Sequence, residues 1–561
     1  MERYRFLRDG RAAALAGAMV AAAAPACSLL TDFPDVVASS AGGGGSGGAG
    51  GGGCGECRNC YEGARACPEV ASIFDVQAPT STPGPGANTN VAVNDGVSTP
   101  SGVRLVGSFR NAGGAGLQVG GSTLTAMGDR GMGFVVGEDG TLLIGAGPCT
   151  DRSERGGDEV FFMSAAAVND MGSELLVVGG AFEGRRLVFT GNTLDCGNTS
   201  NGVIEGPTAQ APTDFVPFLA WLDALTGQGI NALAPTQSFD GYFADVAAIP
   251  EADDGSVVAI GLARGNPFAV SPTWPDFQYF VARVVGPSGG VDASTVALDY
   301  RTCLSDHYAT LDGLRASIAA DHAVNDAFVG GTGCPVAAPQ DQGDRSFLGR
   351  IGLDGELDPE PFRTFGGAGN PVAITEVAVS TLHVVVAGTY SGNPGIELTG
   401  GGQAPAGTDS DGFVMAFARD GWSNTSNPVW FLQITSNAGP ASIRDLKLAD
   451  DRIYVAGSIA ESGEVGDVEA CVETPSPDTR AFFAEILADT GTAAWFRVEG
   501  SAVGGTDPAP FFATGTTVVR TADVLVTATG THGELVLGCG ESSTNTLDRP
   551  QVTVRRLELA P

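Results

Sequence analysis

From residue 91 to the end of the chain, one pair of phrases returns seven times, and this repeat limits the fold more than any other feature. The first phrase is a short apolar stretch that closes on glycine: "VRLVGSF" (103–109), "LLVVGGAF" (175–182), "SVVAIGLA" (256–263), "DAFVGGTG" (326–333), "LHVVVAGTY" (382–390), "RIYVAGSI" (452–459) and "DVLVTATGTHG" (523–533). A leading strand often precedes it, as in "DVAAI" (245–249), "SIAAD" (317–321), "EVAVS" (376–380), "DLKLAD" (445–450) and "TTVVR" (516–520). The second phrase alternates and usually carries an aromatic: "GFVVGEDG" (133–140), "FLAWLDALTG" (218–227), "YFVARVVGPSG" (279–289), "FLGRIGLDG" (347–355), "FVMAFARDG" (413–421), "FFAEILADTG" (482–491) and "QVTVRRLEL" (551–559). Asp-Gly turns close most copies, which is hairpin chemistry. Short fourth strands follow in "PFRTFGG" (361–367), "VWFLQI" (429–434) and "AWFRVEG" (494–500).

The closing glycines stand at Gly107, Gly179, Gly261, Gly330, Gly388, Gly457 and Gly530, between 58 and 82 residues apart. Each unit therefore has room for four antiparallel strands, one propeller blade, and propellers take about 4–8 blades. The fold expected is an all-β propeller of seven four-stranded blades. The units are long for blades, and the excess falls in Gly- and Pro-rich loops between second and third strands. No helix-period pattern of ten or more residues occurs after residue 91. Two or three consecutive β-sandwiches are the alternative architecture, but a fixed order of phrases favours a ring. The last unit stops at its third strand, so "VASIFDV" (70–76) or a neighbour is expected to supply the fourth and close the circle. Closure of that kind removes an edge that could template aggregation.

Phrases such as "LQVGGSTLTAMG" (117–128), "LVFTGNTLDCG" (187–197) and "IELTGGG" (396–402), each leading to an aromatic strand, carry a family resemblance. Residues 91–561 resemble the bacterial secreted β-propeller-repeat lipoproteins, the SBBP-like type abundant in myxobacteria. The resemblance implies a propeller in the cell envelope. It implies no shared enzymatic motif.

The opening of the chain has its own pattern. Arg3, Arg5, Arg8 and Arg11 precede an uncharged apolar run from Ala12 to Ala24. A basic lead, a short apolar stretch and a small-residue exit form an export signal. The run is shorter than the ~20 residues a bilayer span needs. A buried Ala-rich helix is the alternative. Ala24-Pro25-Ala26 fits ordinary A-x-A cleavage. Ala-Pro-Ala-Cys at 24–27 also resembles the lipobox of bacterial lipoproteins, although leucine is usual where Ala24 stands. The chain has 11 cysteines. Acylation of Cys27 leaves an even ten for an oxidising compartment. Residues 1–26 are thus read as a lipoprotein signal peptide and Cys27 as the lipidation site. The lipobox resemblance implies several acyl chains, and stable anchoring needs more than one. Ser28 lacks the retention aspartate of inner-membrane lipoproteins, which implies the outer membrane of a Gram-negative bacterium. Residues 27–53, with "ASSAGGGGSGGAGGGG" at 38–53, form a disordered Gly/Ser-rich tether with a reach of roughly 25–30 Å. Residues 54–69 form a Cys-rich knot, and 70–561 the propeller domain.

Within the knot, Cys54, Cys57, Cys60 and Cys67 are spaced C-x₂-C-x₂-C-x₆-C. Two local disulfides are the expected use. Zinc held by four thiolates is the alternative cofactor, and the spacing is too long at its end for a ferredoxin-type iron–sulfur run. Cys149, Cys196, Cys303, Cys334, Cys471 and Cys539 are the remaining disulfide candidates, Cys303 with Cys334 among the pairings open to them.

With 64 acidic and 30 basic residues the net charge is −34, so phosphate backbones are repelled and nucleic acid is excluded as a partner. Lysine occurs once, at Lys447. Asp409-Ser410-Asp411-Gly412 lacks the later acids of a calcium loop. It reads as a polar turn, with Asp129, Asp214, Asp344 and Asp478 in the same slot. His307, His322, His383 and His532 show no metal-ligand spacing, and no catalytic set stands out. The expectation is no catalytic residue and no metal site in the ring. The loop "RGNPFAVSPTWPDFQYF" (264–280) is the one binding candidate. Phe268, Trp274, Phe277 and Tyr279 in it would make a protein or glycan contact if exposed, or core if Phe277 and Tyr279 begin a strand. The function expected is a non-catalytic, lipid-anchored binding or scaffold protein. A channel-centred glycosidase or lyase and a periplasmic assembly scaffold are the alternatives.

Overall fold

The computed structural model describes residues 69–77 and, with breaks in the loops, 91–558. All regular elements among the described residues are strands. They form seven antiparallel blades, numbered here along the chain. Blade 1 is Val91–Thr99, Gly102–Asn111, Arg130–Gly137 and Leu142–Pro148; blade 2 is Val160–Asp170, Ser173–Glu183, Phe215–Asp223 and Gly229–Leu233. Blade 3 is Asp240–Ala248, Val257–Gly265, Trp274–Val285 and Asp292–Arg301. Blade 4 is Ala316–Asp321, Asp326–Thr332, Arg345–Gly352 and a broken outer strand, Asp358–Pro359 with Arg363–Gly366. Blade 5 is Val372–Val379, His383–Gly392, Gly407–Ala418 and Pro428–Ser436; blade 6 is Ala441–Ala449, Arg452–Ala460, Thr479–Leu487 and Ala493–Ser501. Blade 7 takes Phe512–Arg520, Val524–His532 and Pro550–Glu558 from the end of the chain, and its outer strand, Glu69–Gln77, from the beginning. First strands of successive blades pack side by side from 1 to 7 and back to 1, which closes the ring. The expected closing strand is therefore the observed one.

The glycine phrase and the aromatic phrase have one physical cause. In blades 1, 2, 3, 5 and 6 the innermost strand carries a bulge, after Val93, Phe162, Phe243, Ile374 and Ile443. Opposite it stands a second-strand glycine: Gly107, Gly180, Gly261, Gly388 or Gly457. A bulge bends its strand and sharpens the local twist, and here the bent backbone passes close to the second strand. A Cβ on Gly107 would lie 2.2 Å from the Ala92 carbonyl oxygen and 2.5 Å from the Phe134 ring. On Gly388 it would lie 2.0 Å from the Ala373 oxygen. The third-strand aromatic pairs with that same glycine, as in Phe134, Phe218, Phe280, Phe413 and Phe482. Blade 7 inverts the arrangement: Gly515 is on the inner strand, Thr529 opposes it, and the third strand has no aromatic.

The long loops between second and third strands are explained too. Hairpin 117–124 of blade 1 pairs with the outer strand of blade 7, and 186–205 of blade 2 with that of blade 1. Cys334–Pro335 of blade 4 pairs with blade 3, 463–469 of blade 6 with blade 5, and 535–542 of blade 7 with blade 6. Each covers a neighbour's edge, where unpaired backbone groups would otherwise recruit another strand. The family-like phrases at 117–128 and 187–197 begin in these hairpins. Strand polarity places all these loops on one rim and the short turns on the other. Glu69 pairs with Glu558, at the short-turn rim, so the preceding residues join the ring there.

Candidate functional site: a polar collar in the channel

The innermost strands each turn one polar residue toward the channel at the same register, just past the bulge where there is one. Around the ring these are Asp95, Ser164, Asp245, Ser317, Glu376, Asp445 and Thr517. The side chain of one blade accepts a backbone N–H from the next. Ala165 N–H donates to Asp95 Oδ2 at 2.8 Å and Val246 N–H to Ser164 Oγ at 3.3 Å. Ile318 N–H donates to Asp245 Oδ2 at 2.8 Å, Val377 N–H to Ser317 Oγ at 3.1 Å, and Val518 N–H to Asp445 Oδ2 at 2.9 Å. The hydroxyls link the acids directly: Ser164 Oγ donates to Asp95 at 2.9 Å and lies 2.6 Å from Asp245. Ser317 Oγ lies 2.8 Å from Asp245 and 3.3 Å from Glu376, and Thr517 Oγ1 donates to Asp445 at 2.5 Å.

The collar's cation is Lys447, the chain's only lysine. Its Nζ stands 2.6 Å from Asp95 Oδ1 and 3.4 Å from Asp445 Oδ1. Burial opposes its charge, but the carboxylates of Asp445, Asp95 and Glu376 outweigh that and hold it well above the usual lysine range. A lysine so held is no nucleophile at neutral pH. Burial, then the charges of Asp445 and Asp245, push Glu376 well above the ordinary carboxyl range. Asp245 is raised by burial and by Asp95. Asp445 is raised chiefly by burial, with Lys447 opposing. These are the like-charge and desolvation effects that set apart a tight cluster of acids. Among the described residues no group of three or more His, Cys, Asp or Glu is arranged to hold a metal ion. What the collar does chemically is stitch blades: Asp95, Asp245 and Asp445 each receive several donors.

No single phrase in the sequence points to this collar, but a weak signal is present. Five of the leading-strand phrases begin on or beside a collar position: Asp245, Ser317, Glu376, Asp445 and, in "TTVVR", Thr517. A polar residue at the head of the leading-strand phrase, 12 to 16 residues before each closing glycine, was the sign.

The residues singled out from sequence fall elsewhere. Phe277 and Tyr279 are buried in the third strand of blade 3, where the Tyr279 hydroxyl donates to the Thr332 carbonyl and its ring meets Phe347 edge-on at 4.9 Å. They are core, because strand alternation turns both toward blade 4, and they offer no contact surface. Trp274 begins that strand, and Phe268 lies outside the described residues. Cys149 is buried at the end of blade 1 and Cys334 sits in the strand added to blade 3. Cys27, Cys54, Cys57, Cys60, Cys67, Cys196, Cys303, Cys471 and Cys539 lie outside the described residues, as do the expected signal peptide and tether. The segment Asp409–Gly412 is strand, not turn, and Asp411 is buried and accepts from Gln433 Nε2 at 2.9 Å. His383 begins the second strand of blade 5 and His532 ends that of blade 7. Burial lowers His383.

No family model matches this chain, and no curated protein does. Solved structures similar to it include the Dos1 propeller, at 10% identity and a TM-score of 0.36 over 87% of this chain and 95% of that one. The phage phi92 endosialidase is similar at 9% identity and a TM-score of 0.36, over 87% and 69%. The quinohemoprotein alcohol dehydrogenase of Comamonas testosteroni is similar at 10% identity and a TM-score of 0.31, over 87% and 76%.

Proposed function

We propose that this chain is a lipid-anchored cell-envelope propeller of the SBBP-like lipoprotein type, a non-catalytic binding or scaffold protein for a protein or glycan. The observation that carries the non-catalytic part is the collar: its three aspartates are spent on blade-to-blade bonds. That leaves the rims as the variable surface. The anchor reading rests on the leader and Cys27, and the entry of the chain at the short-turn rim supports it. A tether there holds that rim toward the membrane and turns the long-loop rim outward. Acyl chains would be the membrane partner, since a charge of −34 disfavours anionic headgroups. Disulfides among the ten remaining cysteines, or zinc at Cys54–Cys67, belong to the same proposal, and Cys149, which is disulfide-bonded, supports the former. Expression in a Gram-negative host tests the anchor. The full chain should fractionate with the outer membrane and gain acyl mass, and Cys27→Ala should release it. Equal fractionation of both would sink the anchor. Glycan-array and pull-down binding by the soluble variant tests the ligand class.

One observation favours a second reading, a channel glycosidase or lyase. Four carboxylates converge in the channel, and burial with the charges of Asp445 and Asp245 pushes Glu376 above the ordinary carboxyl range, the direction a general acid requires. Turnover of a glycan panel that disappears in Glu376→Gln would establish it.

A further inference from the structure

Blade 7 is where the ring is shut, because its outer strand and its other three come from opposite ends of the domain. Lys447 is anchored on blade 6, beside blade 7, yet its ammonium reaches Asp95 on blade 1, on the far side. It spans the closing blade. The blade 7 collar residue, Thr517, is bound beneath that span to Asp445. On blade 5, the neighbour of blade 6, Glu376 has one hydrogen bond among the described contacts, from Ser317 Oγ at 3.3 Å. Asp95 by contrast receives Gly96 N–H, Ser164 Oγ, Ala165 N–H and Lys447.

We propose that the collar is a proton-operated clamp on ring closure, in which Lys447 ties blade 6 to blade 1 and Glu376 sets how much unbalanced negative charge the clamp must hold. The charged groups facing Glu376 are Asp445 and Lys447 from blade 6, Asp245 from blade 3 and Asp95 from blade 1. Its own strand adds none beside it, and blade 4 presents the Ser317 hydroxyl. With Glu376 protonated, three aspartates share one ammonium. Its ionisation adds a fourth negative charge with a single long hydrogen bond to receive it, and the repulsion falls on the seam that Lys447 spans.

The sign follows from linkage. Glu376 is raised in the folded ring, so the folded state holds the extra proton between the unfolded and folded values, and stability falls as pH rises through that window. The unfolding constant of the full chain should climb by up to about tenfold per pH unit where this one proton is lost. Glu376→Gln should remove the part of that slope that Glu376 contributes, leaving the shallower dependence of Asp245 and Asp445. Hydrogen exchange locates the effect. After correction for intrinsic base catalysis, amides of 69–77 and 550–558 should lose protection with rising pH in the parent and not in Glu376→Gln, while those of blade 3 stay protected. Lys447→Arg keeps the charge and should preserve the closed strand. Lys447→Gln should loosen it at every pH, and failure of that variant to fold while Lys447→Arg folds counts the same way. A parent without slope, a slope undiminished in Glu376→Gln, or a Lys447→Gln protein as protected as the parent overturns the proposal.

Discussion

The two seams that flank the closing blade are built differently. Toward blade 1, blade 7 presents Val524, Val526, Ala528, Val552, Val554 and Val76, which join Val91, Leu105, Phe109, Phe134 and others in one apolar cluster. Toward blade 6 the apolar cluster among the described residues is small, with Tyr454, Phe483, Trp495, Leu525 and Leu557 its larger members. The rest of that face is polar and sealed from water: Thr527, Thr529, Gln551, Thr553 and Arg555, against Glu499 of blade 6. Glu499 pairs with Arg555, and with Arg497 at 3.0 Å, and accepts from Thr529 Oγ1 at 3.2 Å. Apolar burial is non-directional and tolerates sliding, whereas a buried ion pair works in one register only. The comparison teaches that the ring separates adhesion from alignment. One seam of the last blade sticks, and the other fixes where it sits. Thr529 also explains the inverted bulge. It stands where other blades have glycine, its hydroxyl serves Glu499, and Gly515 across from it supplies the room.

The sharpest way to break the contrast is to strand one charge. Arg555→Met leaves Glu499 buried with only Arg497 beside it and should cost about 3–5 kcal/mol in denaturant unfolding. Next comes the apolar seam, where Val554→Ala should cost about 2 kcal/mol by loss of buried methyls and the cavity they leave. The double variant Arg555→Met with Glu499→Leu should return to within about 1–2 kcal/mol of the parent, because it removes both desolvated charges together. If the double is as damaged as the single, alignment is not the role of the pair. Smallest is Thr527→Val. Its hydroxyl is buried without a hydrogen-bond partner among the described residues, so the swap should be neutral or stabilising by less than about 1 kcal/mol. A loss of more than that in thermal unfolding would show an ordered water at the seam.

Much of the architecture was legible because it rests on local rules. Strand alternation, Asp-Gly turns and a glycine opposite each bulge must be satisfied within every blade, so they recur in the chain as phrases. The seventh unit lacks a fourth strand after "QVTVRRLEL", and that gap in the pattern pointed to 70–76 as the segment that fills it. The aromatic loop was less legible. Phe277 and Tyr279 alternate with Gln278 as a strand would, and alternation alone does not say which face has a neighbour.

The sequence by itself determined that the body is a ring of repeated antiparallel sheets, that its surface is strongly acidic, and that lysine was used once. Only the tertiary structure decided where that lysine belongs. Asp95 and Lys447 are 352 residues apart, and no period or motif relates them. They meet because closing a circle brings the first and sixth blades to either side of the seventh. A repeat is written locally and can be read locally. A contact across the closure depends on all seven blades at once, so it leaves no pattern in the chain.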